Sequence, residues 1–210
     1  MEAVLDTVKL YGKVKIGDKV IVGEYTIIGY GVKSPPHEEA VTIIGDECII
    51  GSHIVIYKGA KIGGKTKIDD FCRIGEGVHL GQNCYVLYGA KIYDDVSIGE
   101  NSIIGGFICE RAKIGENVKI FGELLHSHKE PHLGWDDVIE ESPIIEDCVF
   151  IGFGAKIIGG IRIGRNSYIV AGAIVTKNVP SKSIVSCINN ILPYNNWKGK
   201  LKKSQFFGVC

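Results

Sequence analysis

The sequence predicts an all-β chain wound as a parallel β-helix, and three observations carry that expectation. An aliphatic residue returns every six positions, a second small or apolar slot follows it by four, and the chain holds 28 glycines against 6 prolines in 210 residues. Six is a multiple of the strand period of two and not of the helical 3.6, so only extended segments keep such a pattern on one face. A strand of a few residues cannot bury its apolar side alone, whereas identical rungs stacked along an axis bury a continuous column of Ile and Val. Taken three at a time, the windows make triangular coils of eighteen residues.

The windows run in order along the chain. Ile16, Val22 and Ile28 set the phase, and an insertion, Ser34–His37 (SPPH), interrupts it. From Ile44 to Ile104 eleven windows keep one register, and a two-residue slip placed around Cys109–Lys113 leads to Ile114 and Ile120. After a break at 124–143, six windows from Ile145 to Val175 are again in phase. The second slot holds Val14, Val20, Thr26, Cys48, Ile54, Ala60, Thr66 and Cys72, and later Ala155, Ile161, Ser167 and Ala173. The expected organisation is a solenoid over 1–185 with a long loop excursion near 124–143, then a C-terminal tail over 186–210.

Composition excludes several classes. Twenty-four basic residues balance twenty-four acidic ones, which argues against a general nucleic-acid binder. No apolar run approaches the roughly 18 residues of a membrane span, and the start lacks a basic stretch followed by an apolar one, so a cytoplasmic location is expected. Seven scattered cysteines suggest free thiols in a reducing compartment. Cys48 and Cys84 fall on one wall two coils apart, roughly 10 Å at about 4.8 Å per rung, too far to share a zinc. Gly59–Thr66 (GAKIGGKT) matches a phosphate-binding loop, but such a loop needs a helix after Lys-Thr, and here the six-residue phase continues. The basic run Lys198–Lys203 reads as a solvated tail face.

Chemistry is expected at the longest break, because loops on a rigid scaffold carry function. It holds His126, His128 and His132 beside Trp135, Asp136 and Asp137. An imidazole there suits general-base catalysis. A zinc site is the second chemistry; His128 and His132 have the spacing of two ligands on a helix face, which Pro131 opposes.

The stretches LLHSHKEPHLGW and SPIIEDCVFIGFGAKIIGGIRIGRNSYIVAGAIVTKNVP resemble the hexapeptide-repeat acetyltransferases of the galactoside, maltose and polysaccharide group. The resemblance implies a left-handed coil, a homotrimer, and acetyl-CoA in the groove between subunits as co-substrate. It implies a catalytic histidine, His126 or His128, acting as general base towards a hydroxyl or amine of a sugar or nucleotide sugar, with no resident metal. By spacing to the VTK element it places Phe153 and Ala171 along the pantetheine arm and Thr176 and Lys177 at the nucleotide end. Three departures are visible: Leu125 stands where the family has Thr before its histidine, Phe153 replaces a residue commonly small and polar in the family, and SCINN (Ser186–Asn190) replaces a motif bearing a phosphate-binding Arg. The competing readings are a γ-type carbonic-anhydrase-like zinc enzyme and a non-catalytic structural solenoid.

Overall fold

A computed structural model describes residues 6–31, 40–129, 132, 140–186, 190–193 and 196. They form a left-handed parallel β-helix of three walls, with no α-helix among the described residues. The first wall has nine strands, from Lys9–Leu10 to Ile174–Val175; the second has eight, from Lys13–Ile16 to Arg162–Ile163; the third has ten, from Ile21–Val22 to Asn190–Pro193. Each turn of the chain visits the walls in that order, so every strand pairs in parallel with those one coil away. The exception is Asn190–Pro193, which returns antiparallel to Ser183–Ser186.

The six-residue lead positions are the interior columns. In the first wall Ile56, Ile74, Ile92, Ile108, Leu124, Ile157 and Val175 stack in register. All are buried. The slot four residues on also faces inward, and its hydroxyls are paired twice. Thr66 Oγ1 donates to the Gly81 carbonyl at 3.1 Å and accepts from the Cys84 N–H at 3.2 Å. Ser102 does the same between Gly115 and Val118, at 3.2 and 3.0 Å. Buried hydroxyls are tolerated because each ties one coil to the next and leaves nothing unsatisfied.

Three residues after each lead the chain turns a corner in the left-handed region, a conformation that Asn adopts readily, as at Asn83, Asn101, Asn117 and Asn166. At the corner between the third and first walls the early coils place Tyr25, His53 and Phe71 there instead, at φ 58°, 56° and 60°. Such bulky residues are unusual in this region. Their rings form a column with centroids 5.1 and 4.9 Å apart, which Tyr88 extends at 5.6 Å.

Two coils are short. Ile108 pairs with Ile92 and Leu124 with Ile108, so each of these turns takes sixteen residues. The slip expected near Cys109–Lys113 therefore lies earlier, at Gly105–Gly106, and a second one falls at Phe121–Gly122. Both sit at the corner between the third and first walls. Gly106 has φ 70°, and a Cβ on it would collide with the Gly122 carbonyl oxygen, which is why this tight corner needs glycine. The excursion is present near 124–143, but Leu124 itself is a wall residue, and the strand Glu123–Leu125 carries the chain to its exit.

The segment resembling a phosphate-binding loop is solenoid: Lys61–Ile62 and Lys67–Ile68 are strands and Thr66 is buried. Cys48, Cys72, Cys84 and Cys109 are buried free thiols. Cys148 is disulfide-bonded, so the expectation of free thiols fails there. No helix among the described residues is long and apolar enough to cross a membrane.

Candidate functional site

The corner between the first and second walls carries a cavity of about 380 Å³, lined by Tyr93, Phe107, Cys109, Glu110, Leu125, His126 and His128. Its position follows from the coil. Tyr93, Cys109 and Leu125 each follow a buried lead residue (Ile92, Ile108, Leu124), so alternation turns their side chains outward one above another. His126 comes next, where the chain leaves the wall. The cavity is of the size that takes a small ligand.

Hydrogen bonds stitch the two ends of the excursion together. His126 Nε2 lies 3.1 Å from Ser142 Oγ and 3.3 Å from the Glu110 carbonyl oxygen, and Ser142 Oγ donates to that same carbonyl at 2.6 Å. Glu140 accepts the backbone N–H groups of His128 at 2.8 Å and Lys129 at 3.0 Å, while its own carbonyl accepts from Arg111 at 3.3 Å. Burial works to raise the Glu140 carboxyl, but those two N–H groups and the rings of His128 and His126 outweigh it and hold the group below its ordinary range. Glu140 is thus an anion next to both pocket histidines. Cys109 lines the cavity, but burial pushes its thiol up to about 12, which disfavours the thiolate a nucleophile needs.

Beyond Tyr93 the wall continues as a polar and aromatic column. The Arg73 guanidinium is sandwiched between the rings of Tyr57 and Tyr93, 4.5 and 4.4 Å from their centroids, and bonds Asp94 at 3.2 Å. Phe107 packs on Tyr93 at 4.7 Å.

The residues expected from the sequence divide between two corners. His126 and His128 share the cavity, whereas His132 is exposed and does not line it. Thr176 and Lys177 are exposed on the same corner as His126, two rungs on, roughly 10 Å along the axis. Phe153 and Ala171 are adjacent at the opposite corner, where the Gly172 N–H bonds the Phe153 carbonyl at 2.9 Å. Phe153 is 70% exposed and stacks on Phe121 at 4.7 Å. The six residues from Phe153 to Ile158 cross the wall between the corners, roughly 15 Å. Trp135, Asp136, Asp137, Ser34–His37 and Lys198–Lys203 lie outside the described residues. Among the described residues, no three His, Cys, Asp or Glu side chains are grouped to hold a metal.

Sequence reasoning missed Glu110, Glu140 and Ser142. A signal existed for one of them: Glu110 lies sixteen residues before His126, the local coil length, whereas Ser142 is brought back by the excursion. That count is usable only once the short coils are known.

Residues 142–177 match the bacterial transferase hexapeptide (six repeats), and residues 72–106 match the hexapeptide repeat of succinyl-transferase. Both stretches thus carry the hexapeptide repeat of bacterial acyltransferases, and the chain is similar to that family. It is 28% identical over 220 aligned positions to the bifunctional protein GlmU of Carboxydothermus hydrogenoformans, covering 85% of this chain and 49% of that one. Against GlmU of Geotalea daltonii it is 31% identical over 172 positions, covering 77% and 37%. The chain therefore spans half or less of the length of these family relatives. Among solved structures it resembles the UDP-N-acetylglucosamine acyltransferase of Francisella novicida, with a TM-score of 0.71 at 22% identity over 88% of this chain and 67% of that one. It also resembles the polysialic acid O-acetyltransferase OatWY, with a TM-score of 0.53 at 14% identity over 94% and 92%. At these identities the likeness shows the common fold, the left-handed parallel β-helix of the hexapeptide-repeat family.

Proposed function

We propose that this chain transfers the acetyl group of acetyl-CoA to a hydroxyl or amino group of a sugar or nucleotide sugar, with His126 as general base. The observation that carries this reading is His126 itself, an imidazole held at one nitrogen on the lip of an aromatic-lined cavity in a hexapeptide solenoid. The acceptor's O–H or N–H gives its proton to the imidazole as the oxygen or nitrogen attacks the thioester carbonyl. The tetrahedral intermediate then collapses, the C–S bond breaks, and the departing sulfur takes the proton back from the imidazolium. Glu140, ionised and adjacent, stabilises that transient positive charge. No enzyme nucleophile is required, in keeping with the protonated Cys109.

Lys177, exposed on the same corner, suits a phosphate of the donor, and Tyr93 and Phe107 offer ring faces to a sugar. For His126, His128, Phe153, Ala171, Thr176 and Lys177 all to serve one site, a neighbouring subunit must bring its Phe153–Ala171 corner against this His126 corner. A cytoplasmic homotrimer, with the solenoid over 1–185 as its body, would supply that arrangement. Relatives named for UDP-N-acetylglucosamine and polysialic acid make sugars the first acceptors to test.

The deciding experiment is calorimetric titration with acetyl-CoA, followed by thiol release in the presence of amino sugars and nucleotide sugars. Saturable binding and acceptor-dependent thiol release that His126→Ala abolishes support the proposal. Absence of binding to acetyl-CoA and to longer acyl-CoA alike sinks it.

A further inference from the structure

Resting on that reading and deepening it, we infer that Ser142 is the positioning residue that fixes the tautomer of His126, keeping the ring proton on Nε2 and leaving Nδ1 to accept the acceptor's proton. The argument is a count of hydrogens among three groups. Ser142 Oγ and the Glu110 carbonyl oxygen are 2.6 Å apart. A carbonyl has no proton to give, so that contact is a hydrogen bond only if the hydroxyl donates. A serine hydroxyl has one proton. Once donated, it leaves only lone pairs facing His126 Nε2 at 3.1 Å. The other neighbour of Nε2, the Glu110 carbonyl at 3.3 Å, is also an acceptor only. A ring nitrogen facing two acceptors must carry N–H, and a neutral imidazole carries one, so the lone pair resides on Nδ1.

In the transfer step, the acceptor's proton moves to Nδ1 and the ring becomes an imidazolium with both nitrogens protonated. Its Nε2–H bonds to Ser142 and Glu110 become charge-assisted and strengthen. The Nδ1 proton then passes to the departing sulfur and the starting tautomer returns. The oxygen that holds the base comes from the far end of the excursion, sixteen residues on, and the Glu140 bonds to His128 and Lys129 close the same loop.

The test uses the full chain, with long-range ¹H–¹⁵N correlation of its histidine rings about two pH units above the ordinary imidazole value of about 6.5, His126 being assigned from the signal lost in His126→Asn. The wild type is expected to show Nε2–H alone. Ser142→Ala is expected to give a mixture of tautomers and to lower kcat by about 10–100-fold with little change in KM, the scale on which losing an orienting partner impairs a functional histidine. Ser142→Thr, which keeps the hydroxyl, is expected to restore both. A wild-type spectrum with Nδ1–H or mixed tautomers overturns the inference whatever the variants do, as does Ser142→Ala with unaltered ring shifts. Altered shifts with undiminished kcat would leave the tautomer assignment standing and remove His126 from the role of base.

Discussion

The two corners that bound the first wall are built from the same repeat and have diverged in opposite directions. At the corner shared with the third wall, the turn residues are aromatic and solvent-facing, from Tyr25 through His53 and Phe71 to Tyr88, and aromatic residues resume at Phe121 and Phe153 beyond the Gly105–Gly106 corner. At the corner shared with the second wall, the chain departs for seventeen residues between Leu125 and Pro143 and comes back to place a serine on a histidine. The wall between them is nearly invariant in character. Interior positions are constrained by the column above and below, whereas corners outside the close-packed glycines such as Gly106 are constrained mainly in backbone angle, so corners are where the repeat can vary without unfolding the stack.

The largest effect that would sharpen this contrast is on catalysis. His126→Ala is expected to lower acyl transfer by about 10²–10⁴-fold, the contribution of a positioned general base. His128→Ala should lose far less, because its ring is half exposed and its contribution runs through Glu140. Phe71→Ala, on the aromatic corner of an early coil, should leave kcat as it was. Steady-state kinetics on the three variants decide the matter; a Phe71 variant as impaired as His126→Ala would break the distinction between the corners.

The walls were legible in the sequence because burial enforces the six-residue period at every rung: all the lead residues from Ile44 to Ile104 are interior. The short coils were misplaced for a physical reason. Ile108 comes four residues after Ile104 and not six, so the count of six lands on Glu110 and the slip is displaced to Cys109–Lys113. His126 and His128 stood out because histidines clustered in a break. Ser142, Glu110 and Glu140 did not, since their roles arise from the far end of the excursion and from the neighbouring coil, and a carbonyl acceptor such as that of Glu110 leaves no mark in residue type. Phe153 and Thr176 read as one ligand's surface along the chain, yet a wall separates them in a single subunit.

Stability offers the next comparison. Gly59 and Gly106 have nearly the same left-handed φ, 72° and 70°, but an added Cβ at Gly59 finds nothing nearer than 3.6 Å and at Gly106 it meets the Gly122 carbonyl. Gly59→Ala should cost about 1–2 kcal/mol, the penalty of the conformation. Gly106→Ala should cost more than that, because the backbone of the tight corner must also shift. Denaturant titrations measure both; equal losses would show that the short corner is not held by close approach of the rungs.

A smaller effect separates the excursion from the walls in acid. The Glu140 carboxyl is held below its ordinary range in the folded chain, so its contribution to closing the excursion is fully present above the unfolded value of about 4.3 and is lost as pH falls through the depressed folded value. Hydrogen exchange at the His128 and Lys129 amides should therefore accelerate, beyond the intrinsic pH dependence, over that acid window. The wall amides of Ile92 and Ile108 should keep their protection. Simultaneous loss in both regions would mean that the loop is closed by the solenoid as a whole and not by Glu140.

The smallest expected effect is a silence at Cys109. Its position in the cavity wall would suit a covalent acyl carrier, yet burial pushes its thiol up to about 12. At pH 8 only about one molecule in ten thousand would be thiolate, against roughly a quarter for an ordinary cysteine of pKa about 8.5. Iodoacetamide at pH 8 should thus label Cys109 far more slowly than a free thiol of the same solution, and mass spectrometry after incubation with acetyl-CoA should find no acetyl group on it. Rapid labelling, or an acetylated Cys109 that forms and decays at the turnover rate, would replace direct attack with a two-step transfer and turn His126 from the base for the acceptor alone into the base for both halves of the reaction.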